Sequence, residues 1–290
     1  MLLVLGAVWG GSFFFVEIAL REVGPLTVVA HRVAWALPVL GAVLWWKGIA
    51  LPTGPRIWSA YLVMGLLNNA VPFSLIVWGQ TRIEGGLASI LNATTAVLGA
   101  AVAGLLLADE RLTGRKIAGA LLGLAGVAVI MGPASLSGLD PRNLGQLAIL
   151  GAALSYAFAS VWGKVALKGR PVEANAFGML VGSTAIVVPL ALIVEGTPRL
   201  DLSGGVWAAL LALSVLATAM AYLLYFAVLV RAGAANLMLV TLIVPVFGVA
   251  LGAAFLDERL EPRAIAGFAL IALGLAVTDG RILTRFRRPA

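Results

Sequence analysis

The sequence predicts an all-helical polytopic membrane protein of ten transmembrane helices, arranged as two five-helix halves of inverted topology. Three observations carry this. Hydrophobic residues make up 61% of the chain and charged ones 11%, with a mean hydropathy of +1.05, which excludes an ordinary soluble domain. Apolar runs of the roughly 20 residues that cross a hydrocarbon core recur with only short polar breaks between them. The tetrapeptide Asp-Glu-Arg-Leu is written twice, at 109–112 and 257–260, each time between two such runs.

Taken in order, the runs predict helices at 2–19, 27–46, 57–78, 85–107, 114–132, 144–166, 174–194, 206–229, 233–256 and 263–280. Stretches such as "AAVAGLLLA" and "LIALGLAV" are apolar throughout and lack the alternation of a lipid-facing barrel strand. The first run has no basic start and no small-residue cleavage site after it, so it reads as a retained helix. Trp45, Trp46, Trp58 and Trp207 fall at helix ends, as an interfacial aromatic belt requires. Gly119, Gly123 and Gly126, like Gly248 and Gly252, recur at helical spacing and predict close helix packing. Helix 4 has no proline between Asn92 and Asp109 whereas helix 9 contains Pro245, so a kink and any gating flexure are expected in helix 9.

Charge sets the orientation. Of the 20 basic residues, thirteen fall in or beside the loops after helices 2, 4, 6 and 8 and in the tail 283–290, and seven on the opposite side. The positive-inside rule then places both termini in the cytoplasm. The net charge of +7 reads as basic flanks facing anionic lipid, with no soluble surface left for nucleic acid. Cysteine is absent and His31 is the one histidine, which removes thiol chemistry and His-rich metal sites.

At an offset of 148, residues 109–132 and 257–280 match at 13 of 24 positions, including Arg115 with Arg263, Gly119 with Gly267 and Gly126 with Gly274. Helices 1 and 6 align more weakly at 145, pairing Gly6 with Gly151 and Phe13 with Phe158. The halves are 1–132 and 144–282. Because five is odd, the second half enters the membrane from the other side, an arrangement that lets two halves open one central site alternately. The Asp-Glu-Arg-Leu turns themselves read as helix corners, their carboxylates near the positive starts of helices 5 and 10.

The segments "LASILNATTAVLGAAVAGLLLADERLTGRKIAGALLGLAGVAVIMG" and "ANLMLVTLIVPVFGVALGAAFLDERLEPRAIAGFALIALGLAV" resemble the EamA repeat of the drug/metabolite transporter superfamily. "WGQTRIEGGLASILNATTAV" most resembles the YddG-type branch of bacterial amino-acid exporters. The resemblance implies a carrier of the bacterial inner membrane with a central cavity, no catalytic motif and no cofactor. Its partners would be lipid and a small solute, an amino acid or amphiphilic metabolite. A proton-driven multidrug exporter and a channel are the alternatives.

Polar and aromatic residues deep in a span are the candidates for the pathway. Asn68 and Asn69 lie midway along helix 3, one turn before Pro72, as interhelical links or cavity groups. Trp78 and Gln80 close helix 3, and Asn92 and Thr95 open helix 4, giving a polar patch at the outer mouth. Trp9 sits beside Gly10 and Gly11 in helix 1; Tyr156, Tyr222 and Tyr225 combine a ring with a polar tip, which suits a partly apolar ligand. Glu17 is the only carboxylate clearly within a span and so the only candidate proton carrier. His31 and Arg32 read as interfacial residues at the start of helix 2.

Overall fold

In hydrocarbon a backbone must satisfy its own polar groups, and an uninterrupted helix does so locally. The computed structural model describes residues 1–83, 85–255 and 262–279, and no strand occurs among them. Among the described residues eight helices are long and apolar enough to cross a membrane: α1 (Leu2–Ala19), α2 (Pro25–Trp46), α3 (Pro55–Gln80), α4 (Leu87–Leu106), α5 (Gly114–Ala134), α6 (Leu144–Ala166), α7 (Val172–Val194) and α8 (Gly204–Ala232). Two shorter apolar helices follow, α9 (Ala234–Val249) and α10 (Pro262–Thr278). The second Asp-Glu-Arg-Leu turn, the basic tail and the surroundings of Gly252 lie outside the described residues.

α2 and α3 each begin on a proline, two residues earlier than the apolar pattern alone predicts; a proline at the first helical position loses no hydrogen bond. The regular part of α5 ends at Gly132, whose φ of +81° leaves the helix, and Pro133 disfavours helical backbone in the residue before it.

Most of the helices near the centre are interrupted. α1 breaks at Gly11 and α2 at Trp35, three residues before Pro38, whose ring cannot accept the helical approach of the Ala34 carbonyl. In α3 the backbone widens into a π-helix over Leu66–Ala70, where the Val71 N–H donates to the Leu66 carbonyl. The next donor in that register would be Pro72, which has none. The Ser155 hydroxyl of α6 takes its place on the Leu67 carbonyl at 2.6 Å. α8 carries a matching π-helix over Val215–Met220.

The expected contrast between helices 4 and 9 does not hold. α4 is interrupted at Thr94 without a proline, and α9 at Leu239, six residues before Pro245. Threonine hydroxyls compete for the ladder at both breaks: Thr94 and Thr95 donate to the carbonyls of Leu91 and Asn92, each at 2.6 Å, and Thr241 donates to that of Met238 at 2.8 Å.

Glycine sets the helix contacts. A Cβ built on Gly119 of α5 would lie 2.5 Å from the Gly274 carbonyl of α10, and one on Gly267 of α10 would lie 2.6 Å from the Gly126 carbonyl of α5. The contact is reciprocal: Gly119 meets Gly274, while Gly126 meets Gly267. Elsewhere α1 packs on α8 and α9, and α6 on α3 and α4. Gly10 brings α1 within 3.1 Å, measured from its missing Cβ, of the Val244 carbonyl in α9.

Charged side chains tie the two ends of the bundle. At the end carrying Lys47, Glu110 is buried and its carboxylate accepts the backbone N–H groups of Ala234 and Ala235 at 2.7 and 2.8 Å and Lys164 at 2.6 Å. The first Asp-Glu-Arg-Leu turn thus caps α9, not the adjacent α5 as expected. The start of α5 is capped instead by the Thr113 hydroxyl, which accepts the Lys116 N–H at 3.3 Å. Asp109 beside it accepts a hydrogen bond from Lys164, which holds its carboxyl below the usual carboxylate range. At the end carrying Arg82, Glu195 caps α2 by accepting the Leu26 and Thr27 N–H groups, both at 2.8 Å.

Candidate functional site

Helix interruptions release carbonyls and re-aim side chains, and several of them converge on one partly open cavity. Trp9 and Ser12 flank the break in α1, Asn92 and Thr95 that in α4, and Met238, Val240 and Thr241 that in α9. α3 contributes Phe73 and Gln80 from beyond its π-helix, α6 contributes Tyr156 and α8 Tyr225.

Six of the residues expected at the pathway therefore line this cavity: Trp9, Gln80, Asn92, Thr95, Tyr156 and Tyr225. The aromatic rings of the lining fall in two pairs. Trp9 stands 6.2 Å from Tyr225 and Phe73 stands 6.5 Å from Tyr156, centroid to centroid. The Trp9 indole N–H donates to the Ala217 carbonyl at 3.0 Å, in the π-helix of α8, which fixes the ring.

Four others are placed elsewhere. Asn69 donates to the Ser183 hydroxyl at 3.1 Å and accepts from the Tyr222 hydroxyl, and Asn68 donates to the Met179 sulfur at 3.5 Å. These three hold α3 to α7 and α8, the linking role of polar groups between membrane helices. Trp78 stacks under the Arg82 guanidinium at 4.1 Å and does not line the cavity. Gln80 is two residues on, about 200° round the helix, so the two side chains cannot share a face. Glu17 is exposed and outside the cavity lining, and Pro245 is buried in α9 next to Val244, which does line it.

Arg32 is the functional residue that the interfacial reading missed. It is 6% exposed and lines the cavity. Its Nε donates to the Thr218 hydroxyl at 2.9 Å, its Nη2 donates to the Ala217 carbonyl at 3.2 Å, and Phe73 lies 3.8 Å from its Cζ. Because α2 starts at Pro25, Arg32 lies seven residues in, about 10 Å along the helix. The signal was present as a charge inside the apolar run before Pro38. Ser12, Phe13, Val16 and Thr241 were also missed, since each is an ordinary packing residue until a break exposes it.

Four lining residues carry a buried polar atom without a protein partner: Ser12 Oγ, Gln80 Oε1, Asn92 Oδ1 and Tyr225 OH. Buried polar atoms normally find partners. Four orphans round one cavity, beside a guanidinium and a wall of rings, form a site that can hold a small solute with both polar and apolar parts.

The EamA-like transporter family matches the chain in two segments, residues 1–132 and 143–278. An uncharacterized transporter of Archaeoglobus fulgidus is 27% identical over 277 residues, covering 94% of each chain. A probable amino-acid metabolite efflux pump of Escherichia coli K12 is 28% identical over 289 residues, covering 95% of this chain and 92% of its own, and a protein of the same description from Salmonella typhimurium is also 28% identical. A solved crystal structure superposes with a TM-score of 0.80 at 20% identity over 97% of this chain and 96% of its own, a likeness of fold.

Proposed function

The chain belongs to the EamA-like transporter family, and from that premise we propose that it exports amino acids, aromatic and other neutral ones, or related small metabolites, by alternating access around the central cavity. The observation that carries the reading is the cavity itself: unpartnered amide and hydroxyl groups facing an aromatic wall, enclosed by interrupted helices from both segments of the chain. The relatives described as probable amino-acid metabolite efflux pumps favour the same class of solute.

In this reading the molecule has ten spans in two inverted repeats, 1–132 and 144–282. The reciprocal glycine contacts support it, because two elements related by a two-fold axis must touch in such exchanged pairs. The paired π-helices of α3 and α8 support it too, as does the packing of α1 on α8 and α9 against that of α6 on α3 and α4. The excess of basic residues on one side supports cytoplasmic termini, and the membrane in this reading is the bacterial inner membrane. The Gln80 end of the cavity then lies toward the outer side and the Glu110–Lys164 cluster at the cytoplasmic end. Export requires that cluster to separate and the outer ends to close.

The test is transport by the purified protein in liposomes. Saturable uptake and counterflow of neutral amino acids are expected; flux that rises linearly with concentration and shows no counterflow would replace the carrier with a channel. Glu17→Gln under a pH gradient tests the remaining coupling question, and unchanged transport removes proton coupling through that residue.

A further inference from the structure

A buried cation that serves only the fold is normally paired. Arg32 is not: among the described residues no carboxylate reaches it, and its two hydrogen bonds go to a neutral hydroxyl and a neutral carbonyl. A guanidinium has five N–H donors, so three are left without a protein acceptor. Thr218, Ala217 and the Phe73 ring nevertheless hold the group still, one edge bonded and one face covered, at the wall of the cavity. A fixed fork of free donors in a water-poor site is the geometry that receives a carboxylate through two parallel hydrogen bonds.

We infer that Arg32 anchors a carboxylate of the transported solute, so that the cavity selects amino acids and other small organic acids and rejects organic cations. This rests on the carrier reading above and names the chemistry of its site. The rest of the lining fits the assignment. Asn92 Oδ1 and Gln80 Oε1 are unpartnered acceptors, suited to an ammonium group, and Trp9, Phe73, Tyr156 and Tyr225 supply an apolar wall for a side chain. Among the described residues no carboxylate lines the cavity to receive a lone cation, and the fixed positive charge repels one. A buried salt bridge with the solute forms only when the solute enters, which turns an unpaired charge from a cost into a source of specificity.

The experiment measures equilibrium binding to the purified protein in lipid nanodiscs, using phenylalanine, phenylalaninamide and phenethylamine as probes. The wild type is expected to bind phenylalanine at least tenfold more tightly than either probe without a carboxylate. Arg32→Gln is expected to erase that preference by weakening phenylalanine alone, and Arg32→Lys to restore part of it. Equal binding of all three probes by the wild type overturns the inference, and that comparison needs no variant to fold. Arg32→Gln that weakens all three probes equally overturns it as well, since a purely structural arginine would do so. The two readings fail separately: binding with the carboxylate preference but no flux in liposomes refutes the carrier and leaves the anchor standing, whereas saturable transport of phenethylamine in preference to phenylalanine refutes the anchor and leaves the carrier.

Discussion

Two buried charges in this molecule are treated in opposite ways. Glu110, at the Lys47 end, has its carboxylate occupied by two backbone N–H groups and an ammonium, all within 2.8 Å. Arg32, at the cavity, has no opposite charge among the described residues and keeps three donors free of protein acceptors there. A satisfied charge welds elements together: here a turn of the first segment is fixed to the start of a helix in the second. An unsatisfied one can pair with a group that enters the cavity. Buried charge alone therefore does not mark a functional site; the accounting of its hydrogen bonds does.

That contrast can be broken in order of size. Glu110→Ala leaves two helix N–H groups without their acceptor and Lys164 with Asp109 alone, and should cost about 1–3 kcal/mol of stability for each buried donor left unsatisfied; a lowered melting temperature in detergent checks it. Asn92→Ala removes an orphan rather than a partner. It should lower transport roughly tenfold, about 1.4 kcal/mol in the solute interaction, while the melting temperature stays near that of the wild type. Acid acts on the exposed rim of the clamp. The depressed Asp109 carboxyl contributes stability that is present above the ordinary carboxylate range and is lost as pH falls through its lowered folded value, so unfolding followed against pH should show this contribution only in the acid limb and Asp109→Asn should remove it. Trp78→Ala should leave transport within about twofold, because a surface stacking contact is worth on the order of 0.5–1 kcal/mol and touches no solute.

Much of the fold was legible because hydrocarbon tolerates few alternatives. The apolar runs located every described helix, and the glycines near the first Asp-Glu-Arg-Leu turn and their counterparts in α10 marked a close, reciprocal helix contact. The interruptions were not legible. Thr94 and Thr241 are unremarkable in sequence, and a π-helix has no residue code of its own until Pro72 is seen to lack the donor that the register demands. The site was half legible for the same reason. Asn92 and Gln80 were found because polar groups in a span must face protein or cavity, yet the same rule admitted Asn68 and Asn69, which turned out to pair with α7 and α8. The sequence has no means of telling an amide that ties helices together from one that lines a cavity: Asn68 donates to Met179 yet leaves its own Oδ1 unpartnered, as Asn92 does. Arg32 was hidden by a two-residue error in where α2 begins.

The most direct test uses the absence of cysteine from the chain. Ser12→Cys places a single thiol on the cavity wall, at an atom that has no partner to lose. A membrane-impermeant maleimide added from the outer side should modify it, and a saturating transported amino acid should slow that modification at least tenfold. Modification at the same rate with and without the amino acid would contradict the claim that this cavity is where the solute binds.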